Sequence, residues 1–467
     1  MAHDEGGLVA FYEKYTDFEG WVEWIGEWGV SRGFFLVCMY LGLYLFLGHL
    51  IPSLPLFTFN WLFGTAPIWI PIALIIGSWR VWIWYIQSLY LSGRNPILLE
   101  MKVPRDIYKS PRAMEIAFSL LIISSGETTF LHRAWKGQVR PFFSFEIASF
   151  GGEIRFFIWC WANYKTEIEA MIYGQYPEVE LHQVEDYATK YQYDPEAHAV
   201  YCTEWRLETY HGISASDFRV NAFQPKSYID FELDKDPKEE FKVEPLSTIL
   251  EFISNIEPEE QIWIQIVLRK CGRKAVLLSK DQDHEWLHMV EQEVERIRQA
   301  ASEPLGGVEL SDKEKAKLFP HPTWKQTEQI RNLERHLGKY PFEIGMRGMY
   351  INTSGHMHGP TFTGMRWLWK PLGNPNYMSH LRPRRWHNPF DYPWQDLDDI
   401  RWKLTAKRFL DAYRRRLFFH SPWILPTNIV TNETLATLWH PPSRTVATPG
   451  LQRIPATKAA APPNLPV

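Results

Sequence analysis

The stretch FFSFEIASFGGEIRFFIW, residues 142–159, reads as two strands joined by a two-glycine turn. Phe143, Phe145 and Ile147 alternate with Ser144, Glu146 and Ala148, and Ile154, Phe156 and Ile158 resume the alternation after Gly151-Gly152. Period-two patterning puts alternate side chains on opposite faces of a strand, and a glycine pair supplies the turn that returns it. Working outward, RAMEIAFSLLIIS before the hairpin has apolar residues at helical spacing, KTEIEAMIY after it reads as a helix, and Val179, Leu181 and Val184 mark another strand. The order helix, strand, strand, helix, strand predicts an α+β fold, with helices on one face of an antiparallel sheet, as in ferredoxin-like units.

The rest of the chain repeats this alternation. Cys202–Thr209 reads as a strand, Leu246–Ile256 as a helix, QIWIQIVL (261–268) as a buried strand and Asp283–Ala301 as a charged helix. The acidic DKDPKEEFKVEP (234–245) reads as a solvated loop. A third set comprises the helix Pro322–Leu337, the strand FEIGMRGMYI (342–351) and a long helix, Leu397–Phe418. The expected units are therefore 95–195, 196–310 and 311–440, followed by a disordered Pro/Ala-rich linker at 441–467, with ETLATLWH (433–440) the last structured element.

Before these units lie two apolar runs. GFFLVCMYLGLYLFLGHLI (33–51) carries no acidic or basic residue, and 66–91 carries only Arg80, which a tilted helix lets snorkel to the interface. Each reaches the roughly 20 residues needed to cross a bilayer core. Residues 33–94 are thus expected to form a transmembrane hairpin, and 1–32, with Trp21, Trp24 and Trp28 at helical spacing, a surface amphipathic segment. The acidic start, from Asp4 to Glu27, is unlike a cleaved signal peptide. Arg94, Lys102, Arg105, Lys109 and Arg112 follow the second run whereas the linker between the runs has no Lys or Arg, so both the N-terminus and the large C-terminal part are expected in the cytoplasm. Cys38, Cys160, Cys202 and Cys271 form no CxxC pair, consistent with a reducing compartment.

Fifty basic and 54 acidic residues leave a net charge of −4, which excludes a globally cationic nucleic-acid binder. Positive charge is instead local: Arg382, Arg384 and Arg385 around Trp386 and His387, then Arg408, Arg414, Arg415 and Arg416 on the last long helix. Cations interleaved with aromatics can hold the phosphates of nucleic acid or of anionic lipid, or form a solvated helix face. No GxxxxGK[ST], GxSxG, HExxH or GxGxxG occurs, so no catalytic role, cofactor or metal is expected. His356 and His358 form too small a set for zinc, and Asp396, Asp398 and Asp399 read as helix-start carboxylates. Glu146 and Glu153 flank the hairpin without an assigned role.

Several phrases together resemble one family. NPILLEMKVPRDIYKSPRAMEIAFSLL (95–121), the hairpin, QYPEVELHQVEDY (175–187), PLSTILEFISNIEPEEQIWIQIVLR (245–269) and ETLATLWHPP (433–442) look like the membrane-proximal region of bacterial type IV secretion and conjugation proteins, known chiefly from candidate-phylum bacteria. The resemblance implies an α+β region between membrane spans and a coupling-protein-like, DNA-binding ATPase. In the family that motor follows a PPNLP-like phrase; here PPNLPV is terminal and no P-loop is present, so the ATPase is expected to come from a separate partner or from a part of the gene outside this chain. The resulting expectation is a membrane-anchored, non-catalytic component of a DNA-transfer system in the cell membrane, working as a homo-oligomer or within a complex. The alternatives are a membrane-associated enzyme built on Glu146, Glu153, His356 and His358, or a scaffold that binds lipid and protein.

Overall fold

Ten strands are found among the described residues: β1 (Pro96–Pro104), β2 (Phe143–Phe150), β3 (Glu153–Trp161), β4 (Glu180–Val184), β5 (Ala199–Thr209), β6 (Glu260–Lys270), β7 (Pro341–Asn352), β8 (Ser379–Arg385), β9 (Asn428–Thr431) and β10 (Arg453–Ile454). They were obtained from a computed structural model that describes residues 32–105, 107–123, 129–209, 218–232, 243–271, 282–301, 322–374, 379–385 and 396–454. The amphipathic segment with Trp21, Trp24 and Trp28, most of the acidic loop 234–245, His387, the side chain of Arg385 and residues 455–467 lie outside this set.

All ten strands belong to one sheet, in the order β10-β1-β3-β2-β6-β7-β5-β8, with β4 also on β1 and β9 also on β7. Every ladder is antiparallel except the short β1–β10 pairing. The hairpin forms as its alternation predicts, Phe145 opposite Ile158 and Phe150 opposite Glu153. Three separate ferredoxin-like units do not form, because β2 pairs with β6 and β6 with β7, ladders that cross both expected boundaries. The architecture is mixed α+β on a single ten-stranded sheet.

Both faces of the central strands are covered. On one, Ala148, Phe157, Trp159, Trp263, Val267, Met349 and Ile351 pack against Ala406, Phe409, Leu410 and Tyr413 of the Ile400–Arg414 helix. On the other, Phe145 meets Phe118 and Trp439 edge-on, at 5.0 and 4.8 Å between ring centroids. The Asn432–Leu438 helix beside Trp439 is buried at every residue.

The hairpin turn fixes its own composition. Gly151 and Gly152 have φ of +58° and +90°, and a Cβ on Gly152 would lie 2.6 Å from the Ser254 carbonyl oxygen. Gly152→Ala is therefore expected to lower the unfolding free energy by roughly 1–3 kcal/mol, to be read from the urea midpoint at unchanged slope.

The tail departs from expectation. Residues 441–454 form no loose linker: Leu451 bridges Ile154, Arg453 and Ile454 pair with Val103 and Pro104, and the Arg453 guanidinium donates to the carbonyls of Ser443 (2.7 Å) and Val446 (3.0 Å).

The chain divides into two compact units: Met1–Trp84 with Asn388–Thr405, and Tyr85–His387 with Ala406–Val467. Among the described residues one helix is long and apolar enough to cross a membrane, Ala66–Ser92, with none of its apolar window buried. The other expected span is different: Leu36–Leu50 and Ser53–Gly64 meet the same test only together, across a 117° bend. Pro52 and Pro55 lie at that break, where a missing N–H and a fixed φ oppose a straight continuation. Among the described residues the expected hairpin of two straight spans is thus replaced by one membrane-length helix and a bent pair, and a multi-pass topology is not supported.

Candidate functional site

The ladder registers align a row of polar residues straight across the sheet: Glu146 on β2 opposes Gln265 on β6, Gln265 opposes Arg347 on β7, Arg347 opposes Glu204 on β5, and Glu204 opposes Arg384 on β8. Directly opposed residues of an antiparallel ladder share a face. The row therefore lies on the face that the Ile400–Arg414 helix covers, and all of it except Arg384 is buried.

Arg416 closes the row at its β2 end. It follows the helix with φ +52°, while Leu417 N–H donates back to the Ala412 carbonyl, a left-handed helix terminus that usually takes glycine. All five guanidinium donors are engaged. Nε and Nη2 donate to the two Glu146 oxygens at 3.0 and 3.1 Å, Nη2 and Nη1 to Asp186, and Nη1 also to the Arg414 carbonyl at 2.8 Å. Glu146 further accepts from Ser144 Oγ (2.6 Å), Gln265 Nε2 (2.9 Å) and Tyr187 Oη (2.7 Å). Burial alone would lower the Arg416 pKa, but the Glu146 and Asp186 carboxylates outweigh it and raise the pKa above the ordinary arginine value. Burial raises Tyr187 and Tyr413, whose hydroxyls are 2.8 Å apart, well above the usual phenol range, so both stay protonated.

Arg347 is held differently. It is buried, donates from Nη2 to the Leu417 carbonyl, and stacks 4.8 Å from the Phe418 ring centroid. Its Nε and Nη1 find no hydrogen-bond partner, and burial pushes its pKa down to about 10 against the pull of Glu204, Tyr413 and Glu146.

A second polar cluster surrounds Glu433 of the Asn432–Leu438 helix. Arg335 Nε lies at 3.2 Å, Lys339 Nζ at 3.4 Å, and Ser227 Oγ donates at 2.6 Å. Lys339 also reaches Glu115, to which Tyr228 Oη donates at 2.5 Å. His336, on Thr431 Oγ1 at 2.8 Å, is pushed well below the usual histidine range by burial and then by Arg335 and Lys339. His420 is pushed down likewise, by burial and then by Arg269 and Arg140.

These two histidines set the sign of a pH dependence. Their folded pKa values lie below the unfolded value of about 6.5, so below that pH the unfolded chain binds protons that the folded chain excludes. Stability is therefore expected to fall as pH drops from 6.5 to 5.5, by about 1 kcal/mol for each histidine, the slope approaching about 1.4 kcal/mol per pH unit below that window. His420→Gln is expected to remove about half of that slope, measured by urea unfolding of detergent-solubilised protein across that window.

The residues expected to hold phosphate differ in exposure. Arg382 is exposed on β8 and paired with Glu208 at 2.7 Å, and Arg384 is exposed beside it. Arg408 is exposed on the helix, and Arg415 is exposed but paired with Asp411 at 2.8 Å. Arg414 turns inward to the Ala188 and Tyr191 carbonyls. Arg416 presents no charge to a phosphate, being fully buried and neutralised by two carboxylates. Conversely, Glu146, unassigned from sequence, proves to be the hub of the buried network. Two signals pointed to it: a carboxylate set among Phe143, Phe145 and Ile147, and a cation running directly into the apolar Leu417-Phe418-Phe419.

The other candidates have local roles. Asp396 caps its helix by accepting from Arg401 N–H and Trp402 N–H, both at 2.8 Å. His358 contacts Thr361 Oγ1 at 2.7 Å and lies 3.5 Å from Glu260, whereas Glu153 pairs with Arg155. Among the described residues no group of three or more His, Cys, Asp or Glu side chains could hold a metal ion, and none of the four cysteines is in a disulfide. No protein-family model matches the chain, and no curated protein is significantly similar to it.

Proposed function

We propose that this chain is a membrane-anchored positioning component of a DNA-transfer machine of the type IV secretion class, non-catalytic itself and presenting its sheet to a separate ATPase. The observation that carries the anchoring is the Ala66–Ser92 helix, whose apolar length is unburied while its last turns are built into the sheet unit. Ile86 is buried, Tyr90 packs edge-on against Trp161 at 6.3 Å, and the Arg94 guanidinium lies 4.2 Å from the Tyr90 ring centroid. Only three residues separate that helix from β1. The support for that class is the resemblance of the phrases 95–121, 142–159, 175–187, 245–269 and 433–442 to conjugation proteins. The Glu146–Asp186–Arg416 group and the Glu433 cluster are each paired within themselves, which suits a body that holds its shape more than one that turns over substrate.

In this reading the sheet unit faces the cytoplasm, and the exposed cations Arg382, Arg384, Arg408 and Arg415 are its contacts to phosphate, whether of DNA or of lipid headgroups. Co-purification from native membranes is the test: the expected result is a P-loop ATPase in the complex and loss of DNA transfer on deletion of the gene. A complex without a motor ATPase, or undiminished transfer, overturns the proposal.

A further inference from the structure

We propose that Arg206, Arg382 and Arg384 form one phosphate-binding site on the β5–β8 ladder. This rests on the reading of Arg382 and Arg384 as phosphate contacts and adds a residue that lies outside the basic runs of the sequence. Both strands belong to the Tyr85–His387 part of one compact unit. The register opposes Arg206 to Arg382, Glu204 to Arg384 and Glu208 to His380. Opposed residues, and those two positions apart along a strand, share a face. Three guanidiniums therefore stand together at the outer end of the polar row that begins at Glu146, Arg382 and Arg384 being roughly 6.8 Å apart along β8.

Like charges directly opposite each other destabilise a ladder, and the nearby carboxylates do not cancel them. Glu208 is engaged by Arg382, whose Nη1 donates to its two oxygens at 2.7 and 3.0 Å. Glu204 is buried and draws on Arg347 as well as on Arg206. Among the described residues of this strip, the guanidiniums of Arg206, Arg347, Arg382 and Arg384 thus face two carboxylates. The half-buried Arg206 guanidinium makes no hydrogen bond or ion pair to a described residue, and neither does that of the exposed Arg384. Burial and then Arg384 hold the Arg206 pKa below the ordinary arginine value, against the pull of Glu204. A cation withdrawn from water without acceptors is costly, and a bound anion would supply them.

Phosphate meets this demand better than carboxylate does. It offers more acceptor oxygens, pairs bidentately with a planar guanidinium, and bridges more than one arginine. A nucleic-acid strand presents such groups in series, and free phosphate presents the same group singly. A bilayer fits less well, because contacts to a membrane surface combine cations with inserted apolar side chains. Here Tyr201, Trp205, Leu207 and Leu381, the large apolar side chains near these arginines on β5 and β8, are buried.

The test uses the detergent-solubilised full chain and a labelled single-stranded oligonucleotide, read by fluorescence anisotropy across a salt series. Arg206→Gln and Arg384→Gln are each expected to weaken binding roughly tenfold and to lower the slope of log affinity against log salt by about 0.7. Lys190→Gln, at an exposed position on another element, is expected to change neither. Because Arg206 opposes a like charge, Arg206→Gln is also expected to keep or raise the urea midpoint without ligand. A lowered midpoint together with lost binding makes the role structural and overturns the site. Displacement of the oligonucleotide by inorganic phosphate at matched phosphate concentration assigns the site to free phosphate, and its absence assigns the site to the strand; dependence on Arg206 supports the site in both cases. Equal displacement by polyglutamate, or displacement by phosphatidylglycerol mixed micelles alone, overturns it. Oligonucleotide binding indifferent to both substitutions overturns the site while the phosphate reading of the other cations stands. No binding of either phosphate ligand by the parent overturns both.

Discussion

Arg416→Met is expected to destabilise the protein by about 3–5 kcal/mol, the usual cost of removing one partner from a buried ion pair. The reason lies in what remains. Glu146 is fully buried, and without the guanidinium its carboxylate keeps only the neutral donors Ser144, Gln265 and Tyr187. Arg416→Gly separates charge from backbone. It relieves a non-glycine φ of +52°, worth roughly 1 kcal/mol, yet leaves the same carboxylate stranded, so a net loss is still expected. The double variant Glu146→Gln with Arg416→Met is expected to lose less than the sum of the two single changes, because each single change removes the same Glu146–Arg416 pairing. Asp186, 24% exposed at its side chain, can be hydrated in that background. Urea unfolding of the detergent-solubilised protein reads all four; an Arg416→Met variant within 1 kcal/mol of the parent sinks the account.

The alternation of 142–159 made the hairpin legible, but not the surroundings of its polar residues. In a half-exposed sheet Ser144 and Glu146 would face water; here both are fully buried, and the alternation separates an apolar interior face from one crossed by charge. Many helix and strand positions were readable, since periodicity is local: Lys165–Gln175, Ser247–Ser254, Trp324–Leu337 and the expected strands lie close to their predicted bounds, but β1, β8, β9 and β10 were not among those strands. Pairing between distant strands was not. Nothing in residues 143–150 specifies 261–268 as partner rather than a nearer strand, so one sheet was read as three units. Arg416 was grouped with Arg414 and Arg415 because composition records a basic run without recording which way each side chain turns. Its placement depends on the left-handed helix terminus, for which an arginine gives no signal.

Gly450→Val is expected to release the segment Gly450–Ile454 and cost about 3 kcal/mol, the upper part of the range for overpacking. A Cβ at Gly450 would stand 1.9 Å from the Gly152 carbonyl oxygen and 2.6 Å from Ser254 Oγ. Neither can withdraw easily, because Gly152 sits in a left-handed turn and Ser254 Oγ accepts from Gly450 N–H at 3.0 Å. The segment itself must move. With it would go the Ile154 N–H bond to the Gly450 carbonyl at 2.8 Å, the Leu451 bridge, the β10 pairing and the carbonyl contacts of Arg453. Limited trypsin digestion distinguishes this from a small local adjustment. In the parent, Arg453 is held against the carbonyls of Ser443 and Val446 and is expected to resist cleavage, whereas in the variant it is expected to be cut early. Because the sequence composition of 441–467 reads as a linker, equal cleavage in parent and variant would restore that reading. Protection lost only in the variant places the C-terminal strand in the fold, where it ties the hairpin turn, β1 and the buried Asn432–Leu438 helix into one body.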